Sequence, residues 1–514
     1  MKPLNKVLLI FLAVLLFALI PATFCRFGVT DPFIFLQLST VERVVKEGSF
    51  SNPAAADPLY TPAFTSIMAI LGLALGIPVW YLQFLPIHGV VLPLVYYVMC
   101  KRLTQSFWLA MAATSVMVIS VGTGSAFYST WVHGWGFVLF PLFVWAYFRF
   151  LGTPSPKMLG LMVVFLISAF LYSYTVDVWI VTFSLVLAVS PILSRNWKAA
   201  RAGSSFGLAA LAITLYFNRV IYDAYLAAKR FTAVDSPSEF LAKYFPGLIP
   251  RGNNPYQYVV SDIWFNVSSI ALIGALCAIS VALLLYDLRC KGRAIFWRAE
   301  TRIAFALIVS APVDMVIYAT AGVVTPRFIL FMFPAVIGIL LSYLRGEPDS
   351  ASEAKPSTSG PRYLARLTAV AFALLMVSGG STLIARWTTV GLTHSLDYYH
   401  EYDPVSDWVA AHADGHAFTA DLISGFKIVF DSSEDGRPIA FHPINVSVYS
   451  GIVRFQNGSY NEQLAVLSWN LSRIDGENWL QFKPWEDYRP DILSNPAWNV
   501  VYADGVSSVI VHSP

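Results

Sequence analysis

Charge is scarce in this chain. Only 13% of its 514 residues are Asp, Glu, Lys or Arg, 56% are apolar, and the mean hydropathy is +0.60. Soluble domains carry roughly 25% charged residues, so this composition excludes an ordinary soluble protein. Cysteine is sparse as well. Cys25, Cys100, Cys277 and Cys290 are far apart, lie in or beside apolar segments and form no CxxC pair, which points to neither a disulfide framework nor a cysteine zinc site. No P-loop or dinucleotide fingerprint occurs, so direct nucleotide use is not expected, nor is a nucleic-acid partner. No short internal repeat is visible. The net charge of +3 is informative only through where the charges fall.

Long apolar runs fill the first three quarters of the sequence, each of about 17–25 residues, the length that spans a bilayer. The first, residues 6–24, follows Lys2 and Lys6 and has no clear small-residue cleavage site, so it reads as an uncleaved first span. Further spans are expected at 79–100, 106–122, 134–150, 158–174, 176–194, 203–219, 263–288, 302–320, 327–344 and 364–386. The run 63–77 is short and ends in Gly76-Ile-Pro78, which suits a re-entrant or interfacial helix. With about eleven spans, the basic linkers (Lys101 and Arg102; Lys157; Arg195, Lys198 and Arg201; Arg289 to Arg298; Arg345 to Arg362) fall on one side. By the positive-inside rule that side is the cytoplasm, which also holds the N-terminus, while the C-terminus lies outside.

Three stretches break the hydrophobic series. A first outer loop, 25–77, contains Asp31, Glu42, Glu47 and Asp57, and its segment 32–47 has the pattern of a helix lying in the interface plane. A long outer loop, 220–262, is rich in Tyr, Pro and Asn and carries Lys229, Arg230, Lys243 and Arg251. A cytoplasmic linker, 346–361, is flexible by composition. From residue 387 the character changes to strand-sized runs: 417–420, 427–430, 500–503 and 508–512, the last two separated by Asp504-Gly505 as in a hairpin. Asp403 to His412 reads as a helix. The expected architecture is a polytopic α-helical membrane domain, 1–386, followed by an extracytoplasmic α/β domain, 387–514. Asn445, Asn457 and Asn470 each begin an Asn-X-Ser triplet, in keeping with an outside location.

Asp31 is the first carboxylate in the chain and sits where the chain leaves the first span. An acid at a membrane edge needs a partner or a task. It suits a catalytic base, and equally the cap of the helix that starts after Pro32.

The stretch Asp31-Pro-Phe-Ile-Phe-Leu-Gln-Leu-Ser-Thr-Val-Glu-Arg-Val-Val-Lys-Glu-Gly-Ser-Phe50 resembles the first outer loop of the GT-C glycosyltransferases, most of all the oligosaccharyltransferase catalytic subunit. Pro58-Leu-Tyr-Thr-Pro-Ala-Phe64 resembles the Tyr-Pro-Pro element of many members. Thr325-Pro-Arg327-Phe-Ile-Leu-Phe-Met-Phe-Pro334 resembles the Arg-Phe start of a late helix whose Arg faces the family's active site. Val405-Ser-Asp-Trp408 to Pro443 resembles the start of its soluble domain. Two family motifs are absent. The second outer loop, Phe127-Tyr-Ser-Thr-Trp-Val-His133-Gly-Trp135, has no acid pair. Thr419-Ala-Asp421-Leu-Ile-Ser-Gly425 stands where the sequon-recognition motif would be.

The resemblance implies transfer of a sugar from a polyprenyl (dolichyl-type) phosphate donor to a lipid, glycan or protein acceptor, with inversion. Asp31 would accept the acceptor's proton and Arg327 would bind the donor phosphate. His133, Asp57, Lys243, Arg251 and Tyr256 are the further candidate substrate contacts, with Tyr244 and Tyr258 beside them. Each has a plain alternative: an aromatic-belt histidine, a turn aspartate, a solvated loop, and for Arg327 headgroup snorkelling. A divalent metal, Mg or Mn, is left open, with Asp31 and His133 as its candidate ligands. Asp177 and Asp314 are intramembrane acids, functional by default or paired structurally. The alternatives are a divergent oligosaccharyltransferase, a transporter or flippase of lipid-linked saccharides, for which the paired broken helices are not evident, and a non-catalytic glycan-binding relative.

Overall fold

The computed structural model describes residues 33–48, 62–84, 87–122, 132–193, 206–212, 263–320, 327–345, 368–381, 403–412, 418–420, 441–443, 464–468, 498–503 and 507–512, with isolated residues 5, 9, 428 and 494. Helix α1 (Phe33–Glu47) starts two residues after Asp31 and buries Leu38 and Val41 against α2 (Pro62–Leu75). Its polar side keeps a Lys46–Glu42 pair at 3.4 Å.

Helix α2 has 14 residues, about 21 Å at 1.5 Å per residue, short of the ~30 Å hydrocarbon core. It stops at Gly76, whose φ of +64° needs a residue without a Cβ. The chain then folds back through a 3-10 helix (Val79–Phe84), whose Val79 and Leu82 return to Gly72 of α2. Here the structure corrects the expected span at 79–100. Its first residues are the 3-10 turn, and α3 (Ile87–Thr104) begins only after Pro86. The physical reason is proline: the residue before it is pushed out of the α region.

The remaining bundle helices follow the expected spans closely. They are α4 (Phe107–Gly122), α5 (Val132–Gly152), α6 (Pro156–Tyr172), α7 (Tyr174–Leu193), α8 (Ile263–Lys291), α9 (Ala299–Thr320), α10 (Arg327–Arg345) and α11 (Thr368–Ser381), with a helical segment at 206–212. Local chemistry sets their ends. Ser155 caps α6 by accepting a hydrogen bond from the Met158 N–H at 3.3 Å, with Pro156 at the first helical position. One extended residue, Ser173, separates α6 from α7.

Among the described residues three helices are long and apolar enough to cross a membrane, within Gly134–Gly152, Val176–Leu193 and Ala271–Trp297, and shorter apolar helices run beside them. Their outward surface is greasy: Ile70, Leu73, Trp108, Val164, Val189, Leu285 and Leu374 are exposed. An apolar surface of this extent belongs in lipid.

Helix α10 is the centre of the bundle. From Phe331 to Leu341 every residue outside Pro334 and Gly338 is a buried hydrophobic, and its neighbours are α3, α4, α8 and α9. A helix apolar on all sides belongs inside. The helices alternate up and down, and contacts fix which ends meet. Arg102 of α3 lies 5.9 Å above the Phe148 ring of α5, and Gly338 of α10 meets Thr104 and Ala113. At the opposite end Gly379 of α11 meets Ile119 of α4 and Leu272 of α8. One end therefore gathers Lys101, Arg102, Arg149, Lys157, Arg289, Lys291, Arg293, Arg298, Arg302 and Arg345, against the acids Asp287 and Glu300. We call it the basic end and the other the far end.

The C-terminal residues form one sheet in the order β2-β1-β3-β5-β4. Strand β1 (Phe418–Ala420) runs parallel to β2 (Phe441–Pro443) and β3 (Leu464–Ser468). Strands β4 (Trp498–Ala503) and β5 (Ser507–His512) make the antiparallel hairpin expected around Asp504-Gly505, with a bulge between Val500 and Tyr502. Helix α12 (Asp403–His412) buries Val405 and Val409 and sets Trp408 at 5.6 Å from Tyr502. The sequence patterns gave no sign of β2 and β3. Of the expected strand 427–430 only Ile428 is described, and Asn445, Asn457 and Asn470 lie outside the described residues.

Candidate functional site

The far end brings together the N-termini of three helices that are remote in sequence. Gly136 of α5 lies so close to the α6–α7 junction that a Cβ there would stand 2.7 Å from Ser173 Cβ and 2.8 Å from Val176 Cγ2. Trp135 stacks on Tyr172 with ring centroids 6.4 Å apart. One turn deeper, Trp179 of α7 stacks on Phe137 of α5 at 5.3 Å, interplanar 2°, and on Phe331 of α10 at 5.9 Å. Phe328, the second residue of α10, meets Trp179 edge-on at 5.1 Å and Phe140 at 5.8 Å. These rings form an aromatic floor beneath the three helix starts, and each pair adds to ordinary burial.

The geometry places three sequence candidates on this end. His133 is the second residue of α5 and Arg327 the first of α10. Asp177 lies in the first turn of α7, fully buried, its N–H bonded to Ser173 O at 3.1 Å. A carboxylate in a first turn faces the positive end of its helix dipole, which offsets part of its burial. Three converging N-termini also make this end favourable for an anion, because their first N–H groups lack intrahelical partners. Of His133 and Arg327 the backbone positions are described. Asp314 lies in the half of α9 nearer this end.

Asp31, Asp57, Lys243, Arg251, Tyr256, Tyr244 and Tyr258 lie outside the described residues. Among the described residues no three His, Cys, Asp or Glu side chains gather as a metal site. The floor residues Phe137, Trp179, Phe328 and Phe331 escaped the sequence reading. In an apolar helix an aromatic ring gives no sign of which neighbour it meets.

Tyr96 of α3 holds α10 in place. Its hydroxyl donates to the Phe331 carbonyl at 2.8 Å and accepts from the Ala335 N–H at 3.0 Å. It thereby inserts into the helical ladder beside Pro334, where the chain has already lost one donor.

Among solved structures the chain is similar to ArnT from Cupriavidus metallidurans bound to undecaprenyl phosphate, at 12% identity over 100% of both chains with a TM-score of 0.43. It is similar to the same protein in the apo state at 12% identity, 99% of each chain and a TM-score of 0.40. Likenesses of this size do not establish a common fold. No protein-family model and no curated protein matches the chain.

Proposed function

We propose that the protein is a membrane glycosyltransferase that moves a sugar from a polyprenyl-phosphate donor to an acceptor hydroxyl at the far end of the bundle. The observation that carries the reading is the convergence of the α5, α7 and α10 N-termini over the aromatic floor, which sets Arg327 at the start of the bundle's central helix. A donor of this kind keeps its tail in lipid and its phosphate at headgroup level. It needs positive potential beside an apolar wall, and this end offers both.

In this reading Asp31 takes the proton of the attacking hydroxyl as the oxygen bonds to the anomeric carbon. The bond from that carbon to the phosphate oxygen breaks, and the polyprenyl phosphate leaves with its charge held by Arg327 and the helix N-termini. One-step displacement inverts the anomeric centre. The sequence supports the roles of Asp31 and Arg327 through the GT-C resemblance, with the far end as the outer face and the basic end as the cytoplasmic one. The divergent oligosaccharyltransferase form is the narrower variant.

The test is transfer from a panel of radiolabelled polyprenyl-phosphate sugars by purified protein in detergent, with and without EDTA, alongside Asp31→Asn. Turnover by the wild type, and donor binding without turnover in Asp31→Asn, is the expected result. Full activity in Asp31→Asn removes the base. Loss with EDTA adds a metal. Absence of turnover with every donor, together with saccharide-lipid movement across vesicles, favours the transporter instead.

A further inference from the structure

The basic end holds two buried polar side chains for which glycosyl transfer at the far end has no use. Thr301 and Arg302, in the first turns of α9, are 0% and 8% exposed. Neither Thr301 Oγ1 nor Arg302 Nε makes a hydrogen bond among the described residues. A guanidinium withdrawn from water with its Nε–H unpaired and no ion pair among the described residues is expensive to keep, even with the charge of Glu300 acting on it, so the pair calls for an occupant.

The neighbourhood is otherwise positive. The 3-10 connector (Gly292–Trp297) packs against α7, α8 and α9 and carries Arg293, with Lys291 and Arg298 at its ends. Two acids stand near. Asp287, 1% exposed, is engaged by Lys291 at 3.7 Å. Glu300, half-exposed, feels the charge of Arg302, as does the buried Tyr147 from the last turns of α5. Neither acid forms an ion pair with Arg302 among the described residues. The N-terminal dipole of α9 adds to the positive potential. Trp297, 63% exposed, stands at the same level, where an indole suits the headgroup layer.

We propose that Thr301 and Arg302, with the α9 N-terminus, bind a phosphate anion, namely the headgroup of an anionic membrane phospholipid. A phosphate diester offers the acceptors that the Arg302 N–H and the Thr301 hydroxyl lack. Its acyl chains would lie along exposed Val281 and Leu285 of α8. The site is at the opposite end from His133 and Arg327 and stands whether or not the protein transfers sugars.

The experiment uses the full chain, purified and delipidated in detergent, with native mass spectrometry and thermal unfolding as readouts. Phosphatidylglycerol, phosphatidylcholine and inorganic phosphate are added separately to the wild type, Arg302→Gln, Arg302→Lys and the control Lys157→Gln, an exposed cation outside the site. Phosphatidylglycerol is expected to stay bound and raise the unfolding midpoint, and Arg302→Gln to weaken it roughly tenfold or more, as for a hydrogen bond to a charged group. Lys157→Gln should behave as wild type. Inorganic phosphate protecting as well as the lipid, through Arg302, makes a free anion the occupant and overturns the lipid assignment. Equal retention of both lipids by the wild type, or unchanged binding in Arg302→Gln, overturns the site. Should Arg302→Gln fail to fold, lipid selectivity of the wild type and its loss in Arg302→Lys, which keeps the charge without the fork, decide the matter.

Discussion

Single residues at the far end do their work by fitting. Gly136 is required because the α6–α7 junction leaves no room for a Cβ: both nearest atoms, Ser173 Cβ and Val176 Cγ2, sit close to the backbone and cannot swing away. Gly136→Ala is expected to destabilise the fold by about 1–3 kcal/mol, the usual range for overpacking, read as a lowered unfolding midpoint in detergent. Trp179 acts in the opposite sense, filling space between α5, α7 and α10. Trp179→Ala should cost about 3–5 kcal/mol through the cavity it leaves. Trp179→Phe, which keeps the stack on Phe137, should retain most of that stability in the same assay.

At the scale of elements, α10 is the part on which the proposed chemistry depends, because Arg327 opens it. Its course is set by Pro334 and by Tyr96, whose hydroxyl stands between the Phe331 carbonyl and the Ala335 N–H. Tyr96→Phe removes that bridge and is expected to cost about 1–2 kcal/mol, the range for a buried group left short of a partner. If Arg327 binds the donor phosphate, the same change should raise the apparent KM for the donor more than it lowers kcat, because it shifts the helix start without touching reacting atoms. Equal KM with normal stability would detach α10 from the donor site. Unlike α10, α2 ends after 14 residues at Gly76, where the chain turns back through the 3-10 helix.

For the whole molecule, the distribution of charge is the clearest feature. Ten basic residues and two acids of the described set meet at one end of the bundle, although they come from many separate connections. If that end is cytoplasmic, Cys290, exposed beside Lys291, should react with a membrane-impermeant maleimide only after cells are permeabilised, in a Cys25→Ser background. Cys100, buried, should stay unlabelled until the protein unfolds. Labelling of Cys290 in intact cells would invert the topology and move the proposed active face with it.

The helices themselves were legible along the chain. Apolar runs of spanning length, and Gly76-Ile-Pro78 at the end of the shorter run 63–77, mark where helices lie, because backbone groups in lipid can be satisfied only within the helix; the Ser155-Pro156 start of α6 was not read from the sequence. The terminal hairpin was legible too, through Asp504-Gly505 between two strand-sized runs. The partners of each helix were not. Helices from α3 to α11 are all apolar, so periodicity does not say that α10 is central or that α5 and α7 meet it. Strand β2 has three residues, Phe441-His442-Pro443, too few to show a period. The Tyr96 bridge joins residues 235 positions apart in sequence, and the aromatic floor joins rings of α5 and α7 to rings of α10 that lie about 150 to 190 positions further on. Side-chain shape and hydrogen bonding across helices decide such contacts, and those exist only once the bundle has closed.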